Sequence, residues 1–90
     1  MVAGTTASGF KFEIDEKVMK DARYLRRLAR AQRTGDEFEN LDLLAELLGE
    51  DQYEKLCEHV EDDGLADIEK VTAEFREIME SVAKTTQGKN

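Results

Sequence analysis

The sequence predicts an all-α fold, a small bundle of about four helices behind an extended N-terminal lead-in. Three observations carry that prediction. The long apolar patterns recur at intervals of three and four residues, which is the period of one helix face. Thr34-Gly35-Asp36, Gly49 and Asp62-Asp63-Gly64 separate them, and each group contains a residue suited to stopping one helix or starting the next. The chain also has no proline, so no helix interior lacks its backbone donor.

Ninety residues make one small domain, which at this length buries only roughly 60 % of the surface of its unfolded chain. Residues 1–9 and 85–90 have neither bulk nor periodicity and are expected as disordered tails around a single helical domain at 10–84. Phe10-Lys11-Phe12-Glu13-Ile14 alternates apolar with polar, the mark of an extended segment with one buried face. Two uses fit it: a lead-in lying over the helices, or an edge that pairs with a second copy.

Asp15 is placed to cap a first helix from about Glu16 to Gln32,. Val18, Ala22, Leu25, Leu28 and Ala29 fall in one arc of it, with Lys20, Arg23, Arg27 and Arg30 roughly opposite,. The second helix offers Phe38, Leu41, Leu44, Ala45 and Leu48 and stops at Gly49,. A third, about Asp51 to Glu61, puts Tyr53, Leu56, Cys57 and Val60 on one face and Glu54, Glu58 and Glu61 outside. Asp67 caps the last, where Ile68, Val71, Phe75, Ile78 and Val82 repeat like two heptads,. That stripe suits either a core face or a seam shared with another copy.

Charge is divided by position. Residues 16–33 hold seven Lys/Arg against two acids, whereas residues 34–83 hold three against seventeen, within a net charge of −8. The overall sign opposes nucleic-acid binding, which depends on releasing counterions from phosphate. The basic stripe has three readings: a solvated face, a protein-binding face, or the less favoured contact with nucleic acid. Opposite fields within one small chain suit protein contacts, self-association included. Expected contact residues are therefore Lys20, Arg23, Arg27 and Arg30 on the first helix and Ile68, Val71, Phe75 and Ile78 on the last.

Chemical equipment is sparse. Cys57 and His59 point to different helix faces, and with one cysteine and one histidine neither a zinc site nor a Cys/His pair has enough parts. Aligning Gly64 with the sixth position of a calcium loop puts His59 first and Lys70 at the bidentate twelfth, where an ammonium group repels the ion. No cofactor is expected. Without an apolar run near the roughly 18 residues of a membrane span, or a basic, apolar leader, the expectation is a soluble intracellular protein.

The stretch Leu43-Leu44-Ala45-Glu46-Leu47-Leu48-Gly49-Glu50-Asp51-Gln52-Tyr53-Glu54-Lys55-Leu56 joins a leucine-rich helix through glycine to a helix that opens acidic-Gln-Tyr-x-x-Leu. It resembles the tail assembly chaperones of long-tailed, siphovirus-type phages. Asp62-Asp63-Gly64 before the helix through Phe75 and Ile78, and the lead-in Phe10–Asp15, are similar to that family as well. The likeness spans about Phe10 to Val82. It implies a non-enzymatic protein of the host bacterial cytoplasm, absent from the mature virion, that keeps the tape measure protein soluble while the tail tube assembles.

Many chaperones of that family are also made in a longer, frameshifted form that recruits tail tube protein. Gln87-Gly88-Lys89-Asn90 is compatible with slippery codons, so such a site is an expectation at the end of this chain. The alternative function comes from the acidic side. Glu58, Glu61, Asp62 and Asp63 would let an acidic regulator mimic phosphate charge and block a DNA-binding partner.

Overall fold

A computed structural model of the chain describes residues 1–87, with side chains through residue 84. It is a mostly helical bundle: β1 (Val2–Thr5) and β2 (Lys11–Ile14), a 3-10 turn (Glu16–Lys20), then α1 (Ala22–Thr34), α2 (Glu37–Leu48), α3 (Glu50–Val60) and α4 (Ile68–Gln87). The expected helical bundle is present. A two-stranded sheet is added to it.

That sheet corrects the expected disorder of residues 1–9. β1 pairs antiparallel with β2, placing Val2 opposite Ile14 and Gly4 opposite Phe12. Val2, Phe12 and Ile14 are buried among the helices, so a hairpin too short to persist alone draws its stability from the bundle. Its tip is anchored through side chains. Thr6 Oγ1 and Ser8 Oγ donate to the two carboxylate oxygens of Glu74 at 2.7 and 3.0 Å, and Ala7 N donates to Glu77 Oε1 at 2.8 Å. Glu74 is itself only 6 % exposed. Hydroxyl groups spaced two apart in a weakly apolar segment thus become the counterpart of a carboxylate far away in the chain.

The first helix begins later than its periodicity suggests. Asp15 caps only the 3-10 turn, accepting from Lys17 N. The backbone is then extended at Asp21, whose side chain accepts from Arg23 N and Tyr24 N to start α1. Residues on either side of this break do not share one helical phase, so the arc from Val18 to Ala29 dissolves. α1 buries Tyr24, Leu28 and Ala31 instead, while Leu25 and Ala29 are exposed. Tyr24 Oη donates to the Leu43 carbonyl inside the bundle, and burial, its largest influence, raises the phenol well above its ordinary range,.

α2 is the hub, packing against α1, α3, α4 and β2. Leu43, Leu44, Leu47 and Leu48 are buried, a wider arc than the expected set containing Phe38. Phe38 is 80 % exposed. Gly49 ends α2 with φ +85°, a backbone conformation that disfavours side chains, and its N–H returns to Ala45 O at 2.8 Å,. Gln52, in the next turn, accepts from Glu13 N and donates to Glu13 O, both at 2.8 Å, and also donates to Leu48 O. One side chain thereby satisfies the outer edge of β2 at Glu13, where an unpaired strand would otherwise offer a ladder to another chain.

α3 buries Leu56 and half-buries Tyr53, Cys57 and Val60, matching the predicted face. Asp63 and Gly64 take φ of +56° and +79° between the bridged residues Asp62 and Leu65, as a two-residue Asp-Gly turn requires. Asp67 accepts from Glu69 N at 2.8 Å and opens α4. That helix continues through Gln87, which corrects the expected tail at 85–87. Residues 88–90, over which most of the slippery site expected at codons 87–90 falls, lie outside the described residues.

Candidate protein-binding surface

The last helix settles its two readings first. Val71, Phe75 and Ile78 are 2 %, 6 % and 0 % exposed in the protomer's own core, and Ile68 is half-buried. Val71 and Ile78 therefore have no face left for another copy, whereas Phe75 also lines an opening between α1 and α4. The heptad-like spacing was a core stripe.

The basic residues are also redistributed. Lys20 belongs to the 3-10 turn and is separated from the α1 arginines by the break at Asp21. Arg27 turns toward α2, where Nε meets Glu39 Oε1 at 3.1 Å and Nη1 meets Glu46 Oε2 at 2.6 Å. The hydrogen bonds it donates to these two carboxylates, Glu46 first, raise its pKa further. Its charge is committed within the chain. Arg23 and Arg30 stay exposed, as do Arg26 and Arg33, and no ion pair among the described residues engages them. α1 therefore presents a basic outer surface with a different membership from the one its sequence periodicity suggested.

Beside this surface lies an opening in the bundle. α1 packs chiefly on α2, leaving between α1 and α4 a groove of about 550 Å³ with Met19, Leu28, Ala31, Phe75, Met79 and Ala83 among its lining residues. Advancing 100° per residue from Leu28 puts Leu25 roughly 60° and Ala29 roughly 100° round the helix, outside the groove, and Arg33 and Arg26 roughly 140° and 160° round, on the face turned away from it. Arg76 and Glu80 lie along the α4 side. Leu25 and Ala29 were expected in the core because they repeat with Leu28. Only the packing direction of α2 distinguishes that face from the one holding Tyr24.

A second arrangement escaped the sequence entirely. Ser8 Oγ lies 3.0 Å from His59 Nε2, although the residues are 51 positions apart. Because Ser8 donates its proton to Glu74, its oxygen accepts from a protonated Nε2. A serine activated for nucleophilic attack needs the opposite polarity, with an unprotonated imidazole receiving its hydrogen. His59 also packs its ring 5.6 Å from Phe10, so the cluster fastens the hairpin. Burial, the largest influence, raises the Cys57 thiol above its ordinary value, which lowers its thiolate fraction.

Among the described residues, no group of three or more His, Cys, Asp or Glu is placed to hold a metal ion. No helix there is long and apolar enough to cross a membrane. Comparison with known proteins finds no matching protein family, no matching curated protein and no matching solved structure.

Proposed function

We propose that this protein is a phage tail assembly chaperone, binding the tape measure protein and keeping it soluble during tail tube assembly by non-catalytic contacts in the host cytoplasm. The observation that carries the reading is the Leu43–Leu56 pattern across Gly49. Its parts have definite uses in the fold: Leu43, Leu44, Leu47, Leu48 and Leu56 fill the core, while Gln52 ties α3 to the extended lead-in. A tape measure protein is a long helical chain with apolar stripes, and the groove between α1 and α4, lined by Met19, Leu28, Phe75 and Met79, is a surface suited to such a stripe. Recruitment of tail tube protein by a frameshift-extended form belongs to the same proposal.

The test is co-expression with segments of the tape measure protein of the same phage. Soluble complexes that disappear without the chaperone are the expected result; equal insolubility with and without it refutes the proposal. A regulator that mimics nucleic-acid charge is the second reading. Glu58, Glu61, Asp62 and Asp63 are all exposed around the end of α3, leaving an acidic corner open to a basic partner. Displacement of DNA from such a partner would favour it.

A further inference from the structure

We infer that copies of this protein associate head to tail, the outer arginine face of α1 in one copy seating on the outer carboxylate face of α3 in the next. This association is independent of any client. Arg23, Arg26, Arg30 and Arg33 are exposed, and at 100° per residue they all lie within roughly 40° of the line opposite buried Leu28. Asp51, Glu54, Glu58 and Glu61 are exposed as well, the last just past the end of α3, and they lie within roughly 40° of the line opposite buried Leu56. Both sets are spaced by three, four and three residues. Each is a ladder of like charges about 15 Å long.

Rises of about 4.5, 6 and 4.5 Å along both helices set every guanidinium of one ladder opposite a carboxylate of the other, and the order reads the same from either end. The match fixes register as well as attraction. Within one copy the ladders do not meet: α2 packs against both α1 and α3, and no ion pair among the described residues engages any of these side chains. A second copy offers the missing counterpart to both. Lys55, roughly 100° round α3 from Leu56, stands off the acidic ladder, and Arg27, committed to Glu39 and Glu46, stands off the basic one. Nucleic acid is a poorer partner for the arginines because the chain carries a net charge of −8,. Since the two faces differ, the contact is heterologous, repeating from copy to copy until it closes as a ring or runs on as a filament.

Ion pairs this exposed are individually weak, so the association should depend on concentration and on salt. Sedimentation of the full chain measures it. At low salt the average mass should rise between about 10 µM and about 1 mM protein, and it should fall back toward the monomer by about 0.5 M salt, where the Debye length is about 4 Å. Arg26→Glu/Arg30→Glu puts acids at the centre of both ladders, and Glu54→Arg/Glu58→Arg puts bases there. Each variant alone should associate at least about tenfold more weakly than wild type. An equimolar mixture of the two should recover association to within about threefold of wild type, because every α1 then finds a complementary α3 on the other variant.

Recovery on mixing supports the pairing, since neither a damaged fold nor a general change of net charge recovers that way. Circular dichroism checks each variant; if one unfolds, the outer pairs Arg23→Glu/Arg33→Glu and Asp51→Arg/Glu61→Arg carry the same exchange. A wild-type chain that stays monomeric to about 1 mM at low salt overturns the inference. So does association that both variants leave unchanged, or a loss in both that mixing does not restore, because the two ladders are then not the surfaces that meet.

Discussion

Replacing Glu74 with alanine should loosen the N-terminal hairpin from the bundle. Glu74 is only 6 % exposed, and its carboxylate receives hydrogen bonds of 2.7 Å from Thr6 and 3.0 Å from Ser8. Hydrogen bonds to a charged acceptor contribute about 1.5–3 kcal/mol each, but removing the buried carboxylate also relieves its own desolvation cost. The net loss should be about 2–3 kcal/mol, a large fraction of the roughly 5–15 kcal/mol that holds a domain folded. Thr6 retains the bond its oxygen accepts from Phe10 N, and Ala7 retains Glu77. The hairpin should therefore open locally before the helices unfold.

Urea unfolding followed by circular dichroism measures the global loss, and amide hydrogen exchange at Thr6 and Phe10 measures the local one. Glu74→Gln should cost less, about 1 kcal/mol, because its amide oxygen still accepts from Thr6 and its NH2 can donate to Ser8. Thr6→Val combined with Glu74→Ala completes a double-mutant cycle whose coupling should exceed about 0.5 kcal/mol. Stability within about 0.5 kcal/mol of wild type, with unchanged exchange at the hairpin amides, would refute the anchoring argument.

Other perturbations address separate contacts. Tyr24 has its pKa raised by burial, so the folded state holds that proton more tightly and its contribution is intact below the unfolded value of about 10; stability falls as pH rises beyond it. Urea midpoints between about pH 9 and 11 should drop less steeply in Tyr24→Phe, which at neutral pH should be about 1 kcal/mol less stable through loss of the Leu43 hydrogen bond. Gly4→Ala would set a methyl 2.8 Å from Phe12 Cζ and 3.3 Å from Ser81 Oγ; calorimetry should show a loss of about 1–3 kcal/mol from displacement of the buried ring. Arg27→Glu places a third carboxylate beside Glu39 and Glu46 and should lower the urea midpoint, most at low salt, whereas Arg23→Glu on the exposed face should leave it nearly unchanged,.

The sequence by itself determined the helical class, the breaks at Gly35, Gly49 and Gly64, the inward face of α3 and the apolar stripe of α4. These follow from local chemistry. Glycine tolerates positive φ, aspartate side chains accept the first amides of a helix, and a single clear apolar stripe leaves one face to bury. Where two faces competed, local information was insufficient. Leu25 and Ala29 flank Leu28 on one side of α1 as Tyr24 and Ala31 flank it on the other, and α2 is apolar around so much of its circumference that its pattern does not exclude Phe38.

Only tertiary packing decided those positions. α2 took the side of α1 bearing Tyr24 and Arg27, where the phenol reached Leu43 O and the guanidinium reached Glu39 and Glu46. The other side remained open as the groove. The hairpin was hidden for a related reason: Val2 alone gives β1 little apolar signal, and its order depends on Thr6 and Ser8 meeting Glu74 across 68 and 66 residues. A pairing between polar groups that far apart leaves no periodic trace in sequence, because its free energy exists only once burial has brought donor and acceptor together and excluded water from both.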